Sequence, residues 1–280
     1  MTRRGAIAFF VVALLAGATL AGAAIYDNTA VTAHASAAGK SDLRLSRDDL
    51  VPPHATHAPP GEPAQPVATL SPGVAAHAPG PVPIAIPAGP VAPVYSRLAT
   101  TDPVVFFTID DGLVRDPAVV AFIKSHRLPV TLFPVKVPVH DDQAYFDQFR
   151  AAGASIQDHT VTHPDLRTLS ETALHKEICT PADDYAARFG TRPWLFRPPF
   201  GFLDNRVKYM VRACGMRAIV LWAGTMNDGR LDVTGGKLQA GDIILMHFRT
   251  DLLQNLKVLT DAAKAAHLTP APLEAYLPPA

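Results

Sequence analysis

From Thr101 onward the chain alternates short β-branched or aromatic runs with amphipathic stretches, and this alternation constrains the fold more than any other feature of the sequence. Residues 104–108, Val-Val-Phe-Phe-Thr, read as a buried strand that runs into Asp110-Asp111-Gly112. Asp116 before Pro117 supplies a helix start, and residues 118–126 continue as an amphipathic helix. The pattern recurs. Strands are predicted at 130–133, 155–157, 195–196, 218–222 and 243–246, with helices at 143–152, 170–189, 203–214 and 252–266. Gly153, Gly190 and Gly215 stand where three of these helices should stop. Strands alternating with helices imply parallel βα units joined by right-handed crossovers, hence an α/β fold. About seven units are too few for the usual eightfold barrel, so a compressed or incomplete barrel is expected over residues 99–280.

The first third of the chain has a different texture. Arg3 and Arg4 precede an uncharged apolar run to about residue 25, so residues 1–30 read as a signal peptide or an N-terminal membrane anchor. Ala21-Gly22-Ala23 and Ala33-His34-Ala35 both fit a small-x-small cleavage site. Residues 31–98 read as a disordered Pro/Ala-rich linker: much of the chain's complement of 27 prolines falls here, and between Val51 and Ser96 the only charge is Glu62. His34, His54, His57 and His77 belong to this stretch and read as solvated linker residues. An export segment and tether place the working domain outside the cytoplasm, secreted or anchored at the outer face of the membrane. The 25 basic residues balance 25 acidic ones, which excludes the basic excess that a nucleic-acid binder needs.

The ionisable residues of the second part follow predicted strand ends. In parallel α/β folds these ends form one face, where ligands bind. Asp110 and Asp111 close the first strand, His159 and His163 follow the third, Arg197 the fourth, and His247 the last. Each has a bland reading: an Asp-Gly turn, a chance His-x-x-x-His spacing, a rigid proline loop, a satisfied core histidine. Their joint delivery to one mouth favours a site. One carboxylate with two imidazoles makes a facial set with open positions, suited to zinc or a similar divalent ion. Cys179 and Cys214 fall on successive predicted helices, either as a disulfide or as two buried thiols.

Four ordered motifs carry a resemblance. Residues 108–112 (Thr-Ile-Asp-Asp-Gly), 159–163 (His-Thr-Val-Thr-His), 197–201 (Arg-Pro-Pro-Phe-Gly) and 245–247 (Leu-Met-His) resemble those of the polysaccharide deacetylase family, the NodB-homology carbohydrate esterases of family 4. The resemblance implies a distorted (β/α)7 barrel that removes acetyl groups from N- or O-acetylated glycans with one bound divalent metal, usually zinc. It implies Asp110 as catalytic base and His247 as general acid, with Asp111, His159 and His163 as metal ligands. Arg197 would orient the base, the Phe200 amide would face the oxyanion, and Leu245 would line the acetyl pocket. An extracellular glycan such as peptidoglycan is the expected partner, and the protein is expected to act as a monomer. A non-catalytic glycan-binding member and a hydrolase of a small amide are the alternatives. The chain departs from the family pattern at Ile109, at Gln157-Asp158, and at Asp228-Gly229, where the family has an Asp followed by Trp.

Overall fold

The computed structural model describes residues 81–279. The export segment and most of the linker expected from the sequence lie outside the described residues. The strands are β1 (Val94–Tyr95), β2 (Val104–Asp111), β3 (Val130–Pro134), β4 (Ser155–Ile156), β5 (Leu195–Phe196), β6 (Ala218–Val220), β7 (Gly224–Asn227), β8 (Arg230–Val233), β9 (Ile243–His247) and β10 (Thr269–Pro270). The helices are α1 (Pro117–His126), α2 (Lys136–Asp141), α3 (Gln143–Ala151), α4 (Glu171–Phe189), α5 (Asn205–Ala213), α6 (Leu252–Ala265) and α7 (Leu273–Tyr276). None of these helices is long and apolar enough to cross a membrane.

The strands form two arcs, β4-β3-β2-β9-β7-β8 and β1-β6-β5, with β10 added to β2. All pairings within the arcs are parallel except the β7–β8 hairpin. On one side a single parallel bridge between Asp158 and Phe196 joins the arcs. On the other, the chain runs from β6 directly into β7, and Arg97 bridges to Asp242. The result is a distorted parallel barrel, open at two seams because the strands beside them are only two or three residues long. Its central strand β2 is buried along all eight residues, as a strand covered on both faces must be.

The helices begin and end for local reasons. The side chains of Asp116, Ser170 and Asp204 each accept a backbone N–H in the first turns of α1, α4 and α5. Gly190 closes α4 with φ 71°, a left-handed turn that favours glycine. A disulfide between Cys179 and Cys214 ties α4 to the end of α5, so the two thiols are paired.

The linker boundary drawn at residue 98 falls inside the folded unit. Strand β1 pairs with β6, and Ala92 and Leu98 are buried. Proline density hid this strand, although Ile84, Ile86, Val94 and Tyr95 supply the apolar side chains that pack against the core around Phe106 and Tyr276, or in its neighbour. At Gly241 a Cβ would clash with the Leu98 carbonyl, so glycine there lets the segment after β1 close on the residues just before β9.

Candidate active site

The barrel register brings the predicted residues together. Within the parallel pairs, Asp110 lies opposite Phe133 of β3 and His247 of β9, and Asp111 opposite Pro134. Asp158 follows β4 at the seam, where its backbone pairs with Phe196 and its carbonyl accepts the Arg197 N–H at 3.0 Å. Asp110, Asp111, His159, His163, Arg197, His247 and Leu245 are all buried.

The backbone is bent into this arrangement at some cost. Asp111, Thr160, His163 and Phe200 all take left-handed φ values, 80°, 73°, 61° and 60°. Non-glycine residues in that region cost about 1–2 kcal/mol each, and they persist where surrounding contacts over-determine them. Here the contacts are explicit. Asp158 Oδ1 accepts the Thr160 N–H at 2.8 Å, Thr160 Oγ1 accepts the His163 N–H at 2.9 Å, and the Thr160 carbonyl accepts the Lys136 N–H at 3.0 Å. Gly112, at φ 102°, lets the chain leave Asp111 against Phe146, whose ring atom would lie 2.7 Å from a Cβ.

Asp110 and Arg197 form the strongest pair. Arg197 is fully buried and donates from Nη1 to Asp110 Oδ1 at 2.7 Å and to Thr108 Oγ1 at 2.9 Å. Its Nε and Nη2 donate to the carbonyls of Val220 and Leu221 at 3.0 and 3.1 Å, and the guanidinium lies over the Phe133 ring. Every edge of the fork is occupied, so the Asp110 carboxylate is held in one orientation with Oδ2 left toward His159 Nε2, 3.6 Å away.

Asp111, His159 and His163 form a separate set. Their ligand atoms all lie within 4.8 Å of one another. His159 Nδ1 is hydrogen-bonded to the Arg197 carbonyl at 2.7 Å, so Nδ1 carries the proton and Nε2 of the neutral ring is free to ligate. Asp111 Oδ1 is buried without a hydrogen-bond partner, 3.6 and 3.7 Å from the Nε2 atoms of His159 and His163. An orphaned carboxylate oxygen facing two imidazole nitrogens fits a divalent cation.

The electrostatics agree. Burial opposes the ionised form of Asp111, yet the nearby imidazoles, His159 foremost, hold it at about 2. Burial and the adjacent His159 push His163 down to about 3. His159 is raised above 6.5 because the Asp110 and Asp111 carboxylates outweigh its burial. His247 is lowered by burial against the pull of Asp111 and Asp110, and its Nδ1 has no partner. Asp158 is pushed well above the carboxylate range by burial.

Phe200 sits in the short 3-10 turn Pro199–Gly201 with its ring 4.7 Å from that of His163. Leu245 lies in β9 within a cluster that includes Trp222 and Ile219. Phe202, 39% exposed, marks the rim, with the Arg167 guanidinium 4.0 Å from its ring centroid. Asp228 forms the β7–β8 turn with Gly229, both at positive φ, and its N–H is held by Asp251. The sequence reading missed this hairpin and two site contributors. Trp222, 5.9 Å from the Arg197 guanidinium, lies two residues beyond the end of β6. Glu177 was legible as a carboxylate on the apolar stripe of α4, between Leu174 and Ile178.

A parallel barrel that gathers a carboxylate, two imidazoles and an arginine-held aspartate at its C-terminal mouth defines an α/β scaffold with a candidate metal site. Comparison with known proteins narrows this. Residues 97–219 match the family model described as polysaccharide deacetylase. An uncharacterized protein of Streptomyces coelicolor is 42% identical over 175 residues, covering 60% of this chain and 69% of that protein. The chitooligosaccharide deacetylase of Sinorhizobium fredii is 26% identical over 162 residues, covering 54% of this chain and 74% of that protein. The solved structure of the Bc1960 peptidoglycan N-acetylglucosamine deacetylase superposes with a TM-score of 0.59 at 21% identity, over 68% of this chain and 94% of that one. The chain belongs to the polysaccharide deacetylase family.

Proposed function

We propose that the protein removes acetyl groups from an N-acetylated glycan of the cell envelope, with peptidoglycan as the leading polymer. The observation that carries this reading is the orphaned Asp111 Oδ1 facing His159 and His163 beside the Asp110–Arg197 pair. Family membership supports glycan deacetylation, and the Sinorhizobium and Bc1960 relatives, named as deacetylases of chitooligosaccharide and of peptidoglycan N-acetylglucosamine, support an amide-linked acetyl group. An exported location is supported by the apolar N-terminal run and by the disulfide.

In this scheme Asp111, His159 and His163 would hold a divalent ion, zinc being suited to that donor set, and the bound ion would supply a water of lowered pKa and polarise the acyl carbonyl. Asp110 accepts the proton of the attacking water through Oδ2, because Arg197 occupies Oδ1. Phe200, in its left-handed turn beside His163, offers its backbone N–H to the tetrahedral oxyanion. His247, on the strand next to Asp110, protonates the departing amine; burial lowers its pKa and so makes its imidazolium a stronger acid. Leu245 lines the space for the acetyl methyl, and no covalent intermediate is required. The exposed Phe202 gives a sugar ring an apolar face at the rim.

The test is acetate release by the zinc-loaded full chain from peptidoglycan, chitooligosaccharides, acetylated xylan and small N-acetyl amides. Release from the N-acetylated glycans is expected. Release from small amides alone would replace the glycan reading, and metal binding without any release would overturn the enzyme reading.

A further inference from the structure

Helix α4 buries a stripe of Leu174, Ile178, Pro181, Ala182, Tyr185 and Phe189 against the barrel, and Glu177 sits on that stripe. A carboxylate there is costly to desolvate unless donors surround it. Three do. Glu177 Oε2 accepts the backbone N–H groups of Val161 and Thr162, each at 2.9 Å, and Oε1 accepts the Thr162 hydroxyl at 2.9 Å. Those peptides lie between His159 and His163, in the segment whose two left-handed residues, Thr160 and His163, bring the imidazoles toward Asp111.

We propose that Glu177 is a positioning residue for the metal site, acting through the backbone of the loop that carries both histidine ligands. The other braces reach only the ends of this loop: Asp158 and Lys136 hold Thr160, and Thr160 holds the His163 N–H. Among the described residues, Glu177 alone grips its middle from a separate element. The inward turn of the loop, needed to aim both Nε2 atoms at one point, therefore depends on a helix that carries no ligand. The adjacent disulfide at Cys179 fixes that helix to α5 two residues further on.

The proposal rests on the metal reading of Asp111, His159 and His163. Its test compares the full chain with Glu177→Leu, Glu177→Gln and Leu174→Ala. Zinc affinity is measured by competition with a chromophoric chelator, and the Tm of each metal-free protein is recorded. Leucine completes the apolar stripe, so Glu177→Leu keeps the metal-free Tm while zinc binds about 10–100-fold more weakly, the usual cost of losing an outer support of metal ligands. Glu177→Gln keeps an acceptor for both N–H groups and restores affinity to within several-fold of the parent. Leu174→Ala lowers Tm and leaves affinity unchanged. Wild-type zinc affinity in Glu177→Leu overturns the proposal, as does an affinity loss that merely follows Tm across the set. Failure of the unaltered chain to bind zinc refutes the metal reading itself.

Discussion

The Asp110–Arg197 pair allows a quantitative test. Replacing Arg197 by Met keeps much of the aliphatic stem and removes the guanidinium from a site with no solvent exposure. The Asp110 carboxylate then loses its 2.7 Å partner, Thr108 Oγ1 loses a donor at 2.9 Å, and the carbonyls of Val220 and Leu221 lose donors at 3.0 and 3.1 Å. Breaking one side of a buried ion pair costs about 3–5 kcal/mol, and each lost hydrogen bond adds about 1 kcal/mol. The expected loss of about 6–8 kcal/mol is comparable with the whole stability of many domains, about 5–15 kcal/mol. Adding Asp110→Asn removes the stranded charge. The double variant should therefore be more stable than the sum of the single effects implies, with a coupling of at least about 2 kcal/mol. Urea unfolding of the four metal-free proteins at pH 7, followed by tryptophan fluorescence and circular dichroism, gives this cycle. A cost below about 1 kcal/mol for Arg197→Met, or strictly additive effects, would refute the claim that this arginine exists to hold the aspartate.

Two further predictions concern the disulfide and pH. The Cys179–Cys214 bridge closes a 35-residue separation, so Cys179→Ala/Cys214→Ala should lose about 3–4 kcal/mol, read as a lower calorimetric Tm; an unchanged Tm would contradict this. Zinc affinity should fall about tenfold per pH unit once His159 protonates. Its folded value lies above 6.5, whereas Asp111 and His163 keep their ligating forms down to about 2 and about 3. In the metal-free protein the same raised value stabilises the fold fully below 6.5, and that contribution is lost as pH rises through the folded value. Chelator competition from pH 5 to 8 tests the first statement, and a flat profile there would refute it.

The sequence made the fold legible where pattern and capping agree. The helices α1 after Asp116 and α4 ending at Gly190 are found within a residue or so of their expected bounds, and β2 starts where expected at Val104 but runs three residues further, through Asp111. The gathering of Asp110, Asp111, His159, Arg197 and His247 at one mouth was also readable, because parallel topology sends strand ends to one face. Other features depend on partners distant in sequence. Strand β1 is two residues among prolines and exists only through pairing with β6. The β7–β8 hairpin lies where Asp228 and Gly229 were compared with a motif, although Asn-Asp-Gly-Arg is a strong turn signal. Glu177 acts on a loop 15 residues upstream, which no local pattern specifies.

The central claim is that Asp111, His159 and His163 hold a metal while Asp110 does the proton transfer. The most direct measurement pairs zinc content with acetate release from an N-acetylated glycan for the full chain, Asp110→Asn and His159→Ala. The account predicts that Asp110→Asn retains zinc and loses at least about 100-fold in turnover, the range of general-base catalysis, while His159→Ala loses both. Zinc lost equally from the two variants, or turnover surviving in Asp110→Asn, would contradict it.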